Sequence, residues 1–370
     1  MAACALPLRS VLPPAEASWR ILSIDGGGIR GLIAAKLLER LEDMLAAGDP
    51  PRRLVDCFDL IAGTSTGGLI ALALAAPPPS GQAPMTAERL VDIYSGPEGR
   101  AVFERPAWRE LPVIRRLVDL FAPRYSLRPL REELERQVGE AAVADAVTEI
   151  LVTAFDMRTQ EPVFFKRWDD AVNATSMVDA GLATAAAPTY FASHGALGGA
   201  LVDGGVFAAN PTVAAIVEAL KRTVEPAPIE RDDLLVVSLG TGHYERGFDL
   251  ATVERWGALD WILPKGRSPL AGDPPLIGAM LEGQSDAAHH WAHVLLNHSP
   301  GQALAPAAER GAGPNYYRYE LELLRPLPMD DAGAANIRHL EECADLLIAR
   351  REDELSALAK ALARSRVSGS

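Results

Sequence analysis

The stretch Ile61-Ala62-Gly63-Thr64-Ser65-Thr66-Gly67-Gly68 decides how this chain is read. Phe58, Leu60, Ile61, Ala62 and Gly63 lead into it, interrupted only by Asp59, and the run Leu69-Ile70-Ala71-Leu72-Ala73-Leu74 leads away. That pattern predicts a buried strand, a sharp turn and a helix, with Ser65 at the apex. Gly63-x-Ser65-x-Gly67 has the spacing of a nucleophile elbow. Such a turn pushes the serine into a sparsely populated backbone region, where side chains on the neighbouring residues would clash. The helix N-terminus behind the serine favours negative charge where an oxyanion would form. The plain alternative is an ordinary Gly-rich turn, because a bare GxSxG arises often by chance; the strand–turn–helix context favours the nucleophile.

Upstream, Trp19 to Ile24 reads as a short strand running into Asp25-Gly26-Gly27-Gly28-Ile29-Arg30-Gly31. A helix follows, with Ile33, Leu37, Leu38, Leu41 and Leu45 on one face. Gly26-x-Gly28-x-x-Gly31 also fits the dinucleotide-binding pattern, which requires an acidic residue at the end of a second strand about 20 residues on. Glu39, Glu42 and Asp43 fall near that point but inside the helix, and no second strand comes before Phe58. A Gly-rich loop at a helix N-terminus serves any anion, an acyl oxyanion included. Two strand–Gly-loop–helix units thus open the chain, and in a parallel sheet both loops lie at the carboxyl ends of the strands, where sites form.

Composition limits the remaining choices. A chain of 370 residues that is 48% hydrophobic and 23% charged can bury a substantial core. A net charge of −13 argues against a nucleic-acid partner and against a whole-protein electrostatic grip on anionic membranes. Cys4, Cys57 and Cys343 are scattered without metal-like spacing, which suits a reducing compartment, and Cys57 reads as a small core residue. Residues 1–18 read as a loose leader with no sustained apolar run, hence neither a signal peptide nor a transmembrane helix. The expected location is cytoplasmic, or peripheral at a membrane.

Further elements follow in order. Met85 to Tyr94 predicts a short helix, Thr148 to Phe155 a buried strand partnered by Pro162 to Phe165, and Ser176 to Ala187 a small-residue helix. Leu201-Val202 leads to Asp203-Gly204-Gly205, and Pro211 opens a helix to Leu220 as its first residue. Leu234 to Leu239 reads as a central strand, Leu276 to Leu296 as a helix, Tyr316 to Leu323 as a strand, and Ala334 to Ala363 as a charged amphipathic helix. Residues 96–131 form a basic, aromatic island in an acidic chain, with Arg100, Arg105, Arg109, Arg115, Arg116, Arg124, Arg128 and Arg131 among Phe103, Trp108, Phe121 and Tyr125. This suits a lid or membrane-interface segment, or else a loop whose arginines pair with acidic neighbours and whose aromatics pack inward. Trp256 to Pro269 reads as a second rim element.

Three stretches, Asp25 to Gly31, Gly63 to Gly68 and Asp203-Gly204-Gly205 with Asn210-Pro211, occur in an order that resembles the patatin-like phospholipase family. Ala187-Pro188-Thr189-Tyr190-Phe191 and Ser238-Leu239-Gly240-Thr241-Gly242 resemble further family segments, and the likeness spans roughly residues 20–325. It implies a three-layer α/β/α fold with a mostly parallel central sheet. The expected catalytic domain spans residues 19–330, with a C-terminal helix in 331–370.

The resemblance also implies a lipid acyl hydrolase of phospholipase A or lysophospholipase type. In it Ser65 attacks the ester carbonyl and Asp203 accepts the proton. The N–H groups of Gly26, Gly27 and Gly28 form the oxyanion hole, and Arg30 supports the oxyanion or a phosphate. Neither a metal nor another cofactor is expected, and the partners are an acyl lipid and a transient membrane surface. Other readings stay open. Asp25-Gly26-Gly27 is also a DGG, and the residues alone do not separate the two aspartates. A Ser-His-Asp triad would draw on His194, nearest in sequence to Asp203. His289-His290-x-x-His293 invites a metal site, although no HExxH is present. The same acyl-serine would serve an acyltransferase, a narrow esterase or a nucleotide-triggered membrane-degrading effector, and a lipid-binding or dinucleotide-binding module is the non-enzymatic alternative.

Overall fold

The computed structural model describes residues 19–104, 122–224, 227–244, 248–262, 274–298, 315–323 and 327–364. Seven strands form one sheet: β1 (Trp19–Ile24), β2 (Leu60–Thr64), β3 (Glu149–Asp156), β4 (Glu161–Lys166), β5 (Leu201–Asp203), β6 (Leu234–Leu239) and β7 (Tyr316–Tyr319). Their order is β4-β3-β2-β1-β6-β7, with β5 also on β3. The five strands from β3 to β7 along that path run parallel, while β4 and β5 are antiparallel to β3. The helices that matter for the site are α1 (Gly31–Ala46), α2 (Thr66–Ala75), α3 (Ala87–Ser95), α4 (Pro97–Val102), α5 (Arg128–Val138), α6 (Met177–Ala185), α7 (Thr212–Leu220), α8 (Pro275–Asn297) and α9 (Ala334–Ala363).

Alternate strand residues sort to two faces, as a period of two requires. Leu22 and Ile24 of β1, Leu235, Val237 and Leu239 of β6, and Tyr317 and Tyr319 of β7 join the core built with α1, α2, α6 and α9. Ile21, Leu60, Ala62, Leu151, Leu234, Val236 and Tyr316 face the other way, onto Ala215, Ile216 and Ala219 of α7 and Ala292 and Leu296 of α8. Covering both faces explains why β1, β2 and β6 read as nearly continuous apolar runs. The result is the three-layer α/β/α arrangement with a mostly parallel sheet that the resemblance implied. Cys57 is fully buried in the larger core.

Some element edges differ from the sequence reading, each for a local reason. Thr86 caps α3 by accepting the Arg89 N–H at 3.2 Å, so the helix starts later than Met85. Pro211 is the N-cap of α7 rather than its first helical residue. The strand expected to reach Leu323 stops at Tyr319, where the Glu320 carboxylate accepts the Gly242 N–H at 2.7 Å and the Leu321 N–H at 3.2 Å. Within α9, Arg351 leaves helical geometry at φ −117° and ψ 15°.

The basic island is described only at its ends, and residues 105–121, with Arg105, Arg109, Arg115 and Arg116, lie outside the described residues. At those ends Phe103, Tyr125 and Phe191 form an aromatic cluster with ring centroids 5.5 to 6.3 Å apart. Arg124 pairs with Asp330 at 3.3 Å and lies over the Tyr190 ring at 4.6 Å.

Candidate active site

Sheet register brings Ser65 and Asp203 together. The last residue of β2, Thr64, sits opposite Thr153 of β3. The next residue of β3, Ala154, sits opposite Asp203, the last residue of β5. β2 and β5 therefore approach each other end to end along β3, one parallel and one antiparallel to it. The Thr64 and Thr153 hydroxyls meet at 2.7 Å, and the Thr64 hydroxyl lies 2.7 Å from the Ala208 carbonyl, tying the junction to the segment after β5.

The turn at Ser65 is an elbow. Its backbone has φ 54° and ψ −124°, a strained region for a residue with a side chain. Thr184 of α6 holds it by accepting the Ser65 N–H at 2.9 Å. Glycine is required here by close approach: a Cβ on Gly63 would strike the Gly67 carbonyl, and one on Gly67 would strike the carbonyls of Ile24 and Asp25. These contacts press β2, α2 and the end of β1 together, which joins the two Gly-rich loops into one site.

Asp203 is buried, and the Ser65 side chain lies close enough to act on its carboxyl. Burial pushes its carboxyl up to about 6, against the lowering effects of the Ser65 hydroxyl and of the Gly205 N–H, which donates at 2.7 Å. A carboxylate so placed is a stronger base than one in water.

Asp25, the other aspartate of a DGG, is engaged elsewhere. Arg318 of β7 grips it through two bonds of 2.9 and 2.6 Å, and the Ser285 hydroxyl donates to it at 3.0 Å. Arg318 also pairs with Glu320 and donates to the Ser238 hydroxyl at 2.9 Å. Burial pushes the Asp25 carboxyl up to about 6, and the Arg318 guanidinium opposes that rise. This network holds the start of the glycine loop to β6, β7 and α8.

Within the loop, the Gly26 N–H donates to the Ala209 carbonyl at 2.9 Å, so it is spent inside the protein. Among the described residues the Gly27 and Gly28 N–H groups have no acceptor, and both residues line the cavity. The Thr66 N–H, in the first turn of α2 directly after Ser65, likewise has no intrahelical acceptor. Gly28 adopts φ +58°, and a Cβ there would strike the Met329 carbonyl, which fixes the loop's path. Arg30 is buried at the same wall: its Nη1 donates to the Gly242 carbonyl at 3.4 Å, its Nε has no hydrogen-bond partner, and it lies 5.9 Å from the Tyr244 ring. Near it Glu282 is pushed up to about 7 by burial, with Arg30 pulling the other way.

The histidine alternatives do not assemble around Ser65. His194 Nε2 is 2.9 Å from Asp179 of α6. His289 Nδ1 meets the Tyr316 hydroxyl at 3.0 Å. Among the described residues no group of His, Cys, Asp or Glu side chains has metal-holding geometry. His243 does line the cavity, with its Nδ1 buried and without a hydrogen bond.

Ser65, Asp203, Gly27 and Gly28 open into a cavity of about 390 Å³, within the range of small-ligand sites. Leu69, Ile70 and Ala73 of α2 line it on one side, and Leu90, Ile93, Val102 and Phe103 on another. Thr66, Thr184, Arg318 and Glu282 escaped the sequence reading. Arg318 did carry a signal, since an arginine inside Tyr316-Tyr317-Arg318-Tyr319 needs a buried counter-charge. The others stand in ordinary helical sequence.

A family model described as Patatin-like phospholipase matches residues 22–216. Patatin-like protein 1 of Oryza sativa subsp. indica is 34% identical over 310 residues, covering 77% of this chain and 72% of that protein. Patatin-like protein 1 of Arabidopsis thaliana is 32% identical over 313 residues, covering 78% and 74%. Patatin-07 of Solanum tuberosum is 34% identical over 267 residues, covering 66% of each.

Proposed function

The chain belongs to the patatin-like phospholipase family, and from that premise we propose that it hydrolyses fatty-acyl esters of phospholipids or lysophospholipids through an acyl-Ser65 intermediate. The supporting observation is Ser65, at the elbow after β2, beside the buried Asp203 carboxylate at the wall of an apolar cavity.

Ser65 Oγ attacks the ester carbonyl carbon as its proton passes to Asp203. Negative charge develops on the former carbonyl oxygen and is met by the N–H groups of Gly27 and Gly28, with that of Thr66 beside them. Gly26 is left out of this set because its N–H is engaged by Ala209. The ester C–O bond breaks, the departing alcohol takes the proton from Asp203, and the acyl group stays on Ser65. Water then attacks the acyl-serine and gives a proton to Asp203. Collapse of the second tetrahedral intermediate frees the fatty acid, and the proton returns to Ser65. Arg30, with an unpartnered Nε, supplies positive charge next to the glycine loop.

The apolar rim supports access from a lipid surface. Leu259 and Ile262 are exposed at 64% and 48%, Leu276 and Met280 of α8 at 42% and 46%, and Met280 also lines the cavity. Among the described residues no helix is long and apolar enough to cross a membrane, so contact by this rim would be peripheral.

Digestion of a mixed-lipid extract with mass analysis of the products tests the reading. The wild type releases free fatty acid and lysolipid, and Ser65→Ala cuts this by at least about a thousandfold while the fold is retained. A serine-directed fluorophosphonate labels the wild type at Ser65 only. Full activity in Ser65→Ala overturns the mechanism.

A further inference from the structure

The cavity has two unlike ends. Leu69, Ile70 and Ala73 of α2, with Leu130 and Leu134 of α5, line an apolar arm that suits an acyl chain. The other end is charged. Arg30, His243, Glu282 and Glu320 line it, brought there by the glycine loop, the ends of β6 and β7, and α8. α2 and α8 belong to opposite layers of the fold. An ester held at Ser65 with its chain along α2 therefore sends the rest of the lipid toward α8.

Arg30 is 7% exposed, and among the described residues it has no ion pair. Its one hydrogen bond is the 3.4 Å contact of Nη1 with the Gly242 carbonyl, and its Nε is buried without a partner. A guanidinium withdrawn from water without a counter-charge is costly. Glu320 does not supply that charge, because Arg318 holds it and it accepts the N–H groups of Gly242 and Leu321.

Glu282 stands across from Arg30. A Cβ on Gly205 would lie 3.1 Å from Leu281 and 3.2 Å from the Asp203 carboxylate, and the Ser285 hydroxyl donates to Asp25 at 3.0 Å. This stretch of α8 thus runs from the flank of Asp203 to the root of the glycine loop, with Glu282 on it facing the cavity. Among the described residues the Glu282 carboxylate has neither a hydrogen bond nor an ion pair. It is near enough to feel the Arg30 charge, yet the two do not touch. Opposite charges that face each other across a cavity without closing leave room for a group carrying both signs.

We propose that this end of the cavity is a headgroup subsite for zwitterionic phospholipids, with the phosphate on Arg30 and the cationic amine on Glu282. The idea rests on the acyl-hydrolase reading of the same site. A headgroup without a cation leaves Glu282 facing a phosphate, and a headgroup without a phosphate leaves Arg30 uncompensated.

Monomeric dihexanoyl phosphatidylcholine and dihexanoyl phosphatidylglycerol test this, since they differ only in the headgroup and need no interface. The wild type should favour the choline lipid about tenfold in kcat/KM. Glu282→Gln, which keeps shape and removes charge, should bring the ratio near unity, and Glu282→Lys should invert it. Burial holds the Glu282 carboxyl up to about 7; Arg30 and His243 pull it down, while Glu320 and Asp286 push it up. The wild-type ratio should therefore rise from about pH 6 to about pH 8 as Glu282 ionises, and stay level in Glu282→Gln. Asp203 acts on both lipids alike and drops out of the ratio. In parallel, glycerophosphocholine and glycerophosphoglycerol are titrated calorimetrically into the Ser65→Ala protein, which reads the headgroup alone and should show the same order. Equal binding of the two headgroups overturns the proposal, as does a turnover ratio unchanged in folded Glu282→Gln. Preferential binding of glycerophosphocholine without any ester turnover by the wild type leaves the subsite standing and overturns the hydrolase reading instead.

Discussion

Asp203 carries opposing demands on one side chain. In its proposed role as base it must be ionised, yet burial favours its neutral form and lifts its carboxyl from 3.8 to about 6. Activity should therefore rise with pH through about 6, which a kcat/KM profile on a soluble ester would read as a single acidic limb. The same shift has a stability consequence. Below about pH 4 the group is protonated both folded and unfolded; as pH rises through 6 the folded state must hold a buried charge, and stability contributed by the proton is lost. Asp203→Asn stays neutral throughout. It should abolish hydrolysis and match the wild type in melting temperature near pH 4. By pH 8 it should exceed the wild type by an amount worth up to about 3 kcal/mol. Melting curves across that range check the sign; a variant less stable at pH 8 than the wild type would contradict it.

The elements explain what could and could not be read in advance. The elbow was legible because Gly63, Ser65 and Gly67 are local: strand, turn and helix follow one another within a dozen residues, and each glycine answers a clash that the structure displays. Gly67→Ala should accordingly destabilise by about 1–3 kcal/mol or more, since its methyl would meet two carbonyls of β1 and its loop rather than a yielding side chain. Denaturant unfolding measures this, and a neutral result would mean that β1 and α2 have room to separate. The pairing of Asp203 with Ser65 was another matter. It depends on β5 meeting β3 antiparallel at Ala154, a register no neighbouring residue announces. The residues alone left Asp25 as an equal candidate, and it took Arg318, distant in sequence, to show what Asp25 holds. By sequence the glycine loop offers three equivalent donors; the Ala209 carbonyl, far along the chain, distinguishes Gly26 from the other two.

At the scale of the whole molecule, an acidic protein presents an apolar rim beside its cavity. Leu259, Ile262, Leu276 and Met280 are exposed on and next to α8, in the region where the sequence reading placed a rim element at Trp256 to Pro269. Described residues of that element end at Ile262, with Trp256 and Trp261 in edge contact at 4.9 Å. Replacing Leu259 and Ile262 by Glu should weaken sedimentation with phospholipid vesicles at least severalfold and slow hydrolysis of vesicle lipid, while turnover of a soluble short-chain ester stays near that of the wild type. Equal loss on both substrates would count against a docking role.

β3 is the common anchor for Ser65 and Asp203. Ser65 follows the last rung of β2 and Asp203 ends β5, at adjacent positions of β3 in the middle of the sheet, so their spacing is set by peptide geometry and not by whatever gathers at the entrance. Substitutions in the helices around the mouth can therefore alter the entrance without shifting that register. Readiness and access are separately adjustable, and changes at the doorway can retune what the protein accepts while its reactive pair stays as it is.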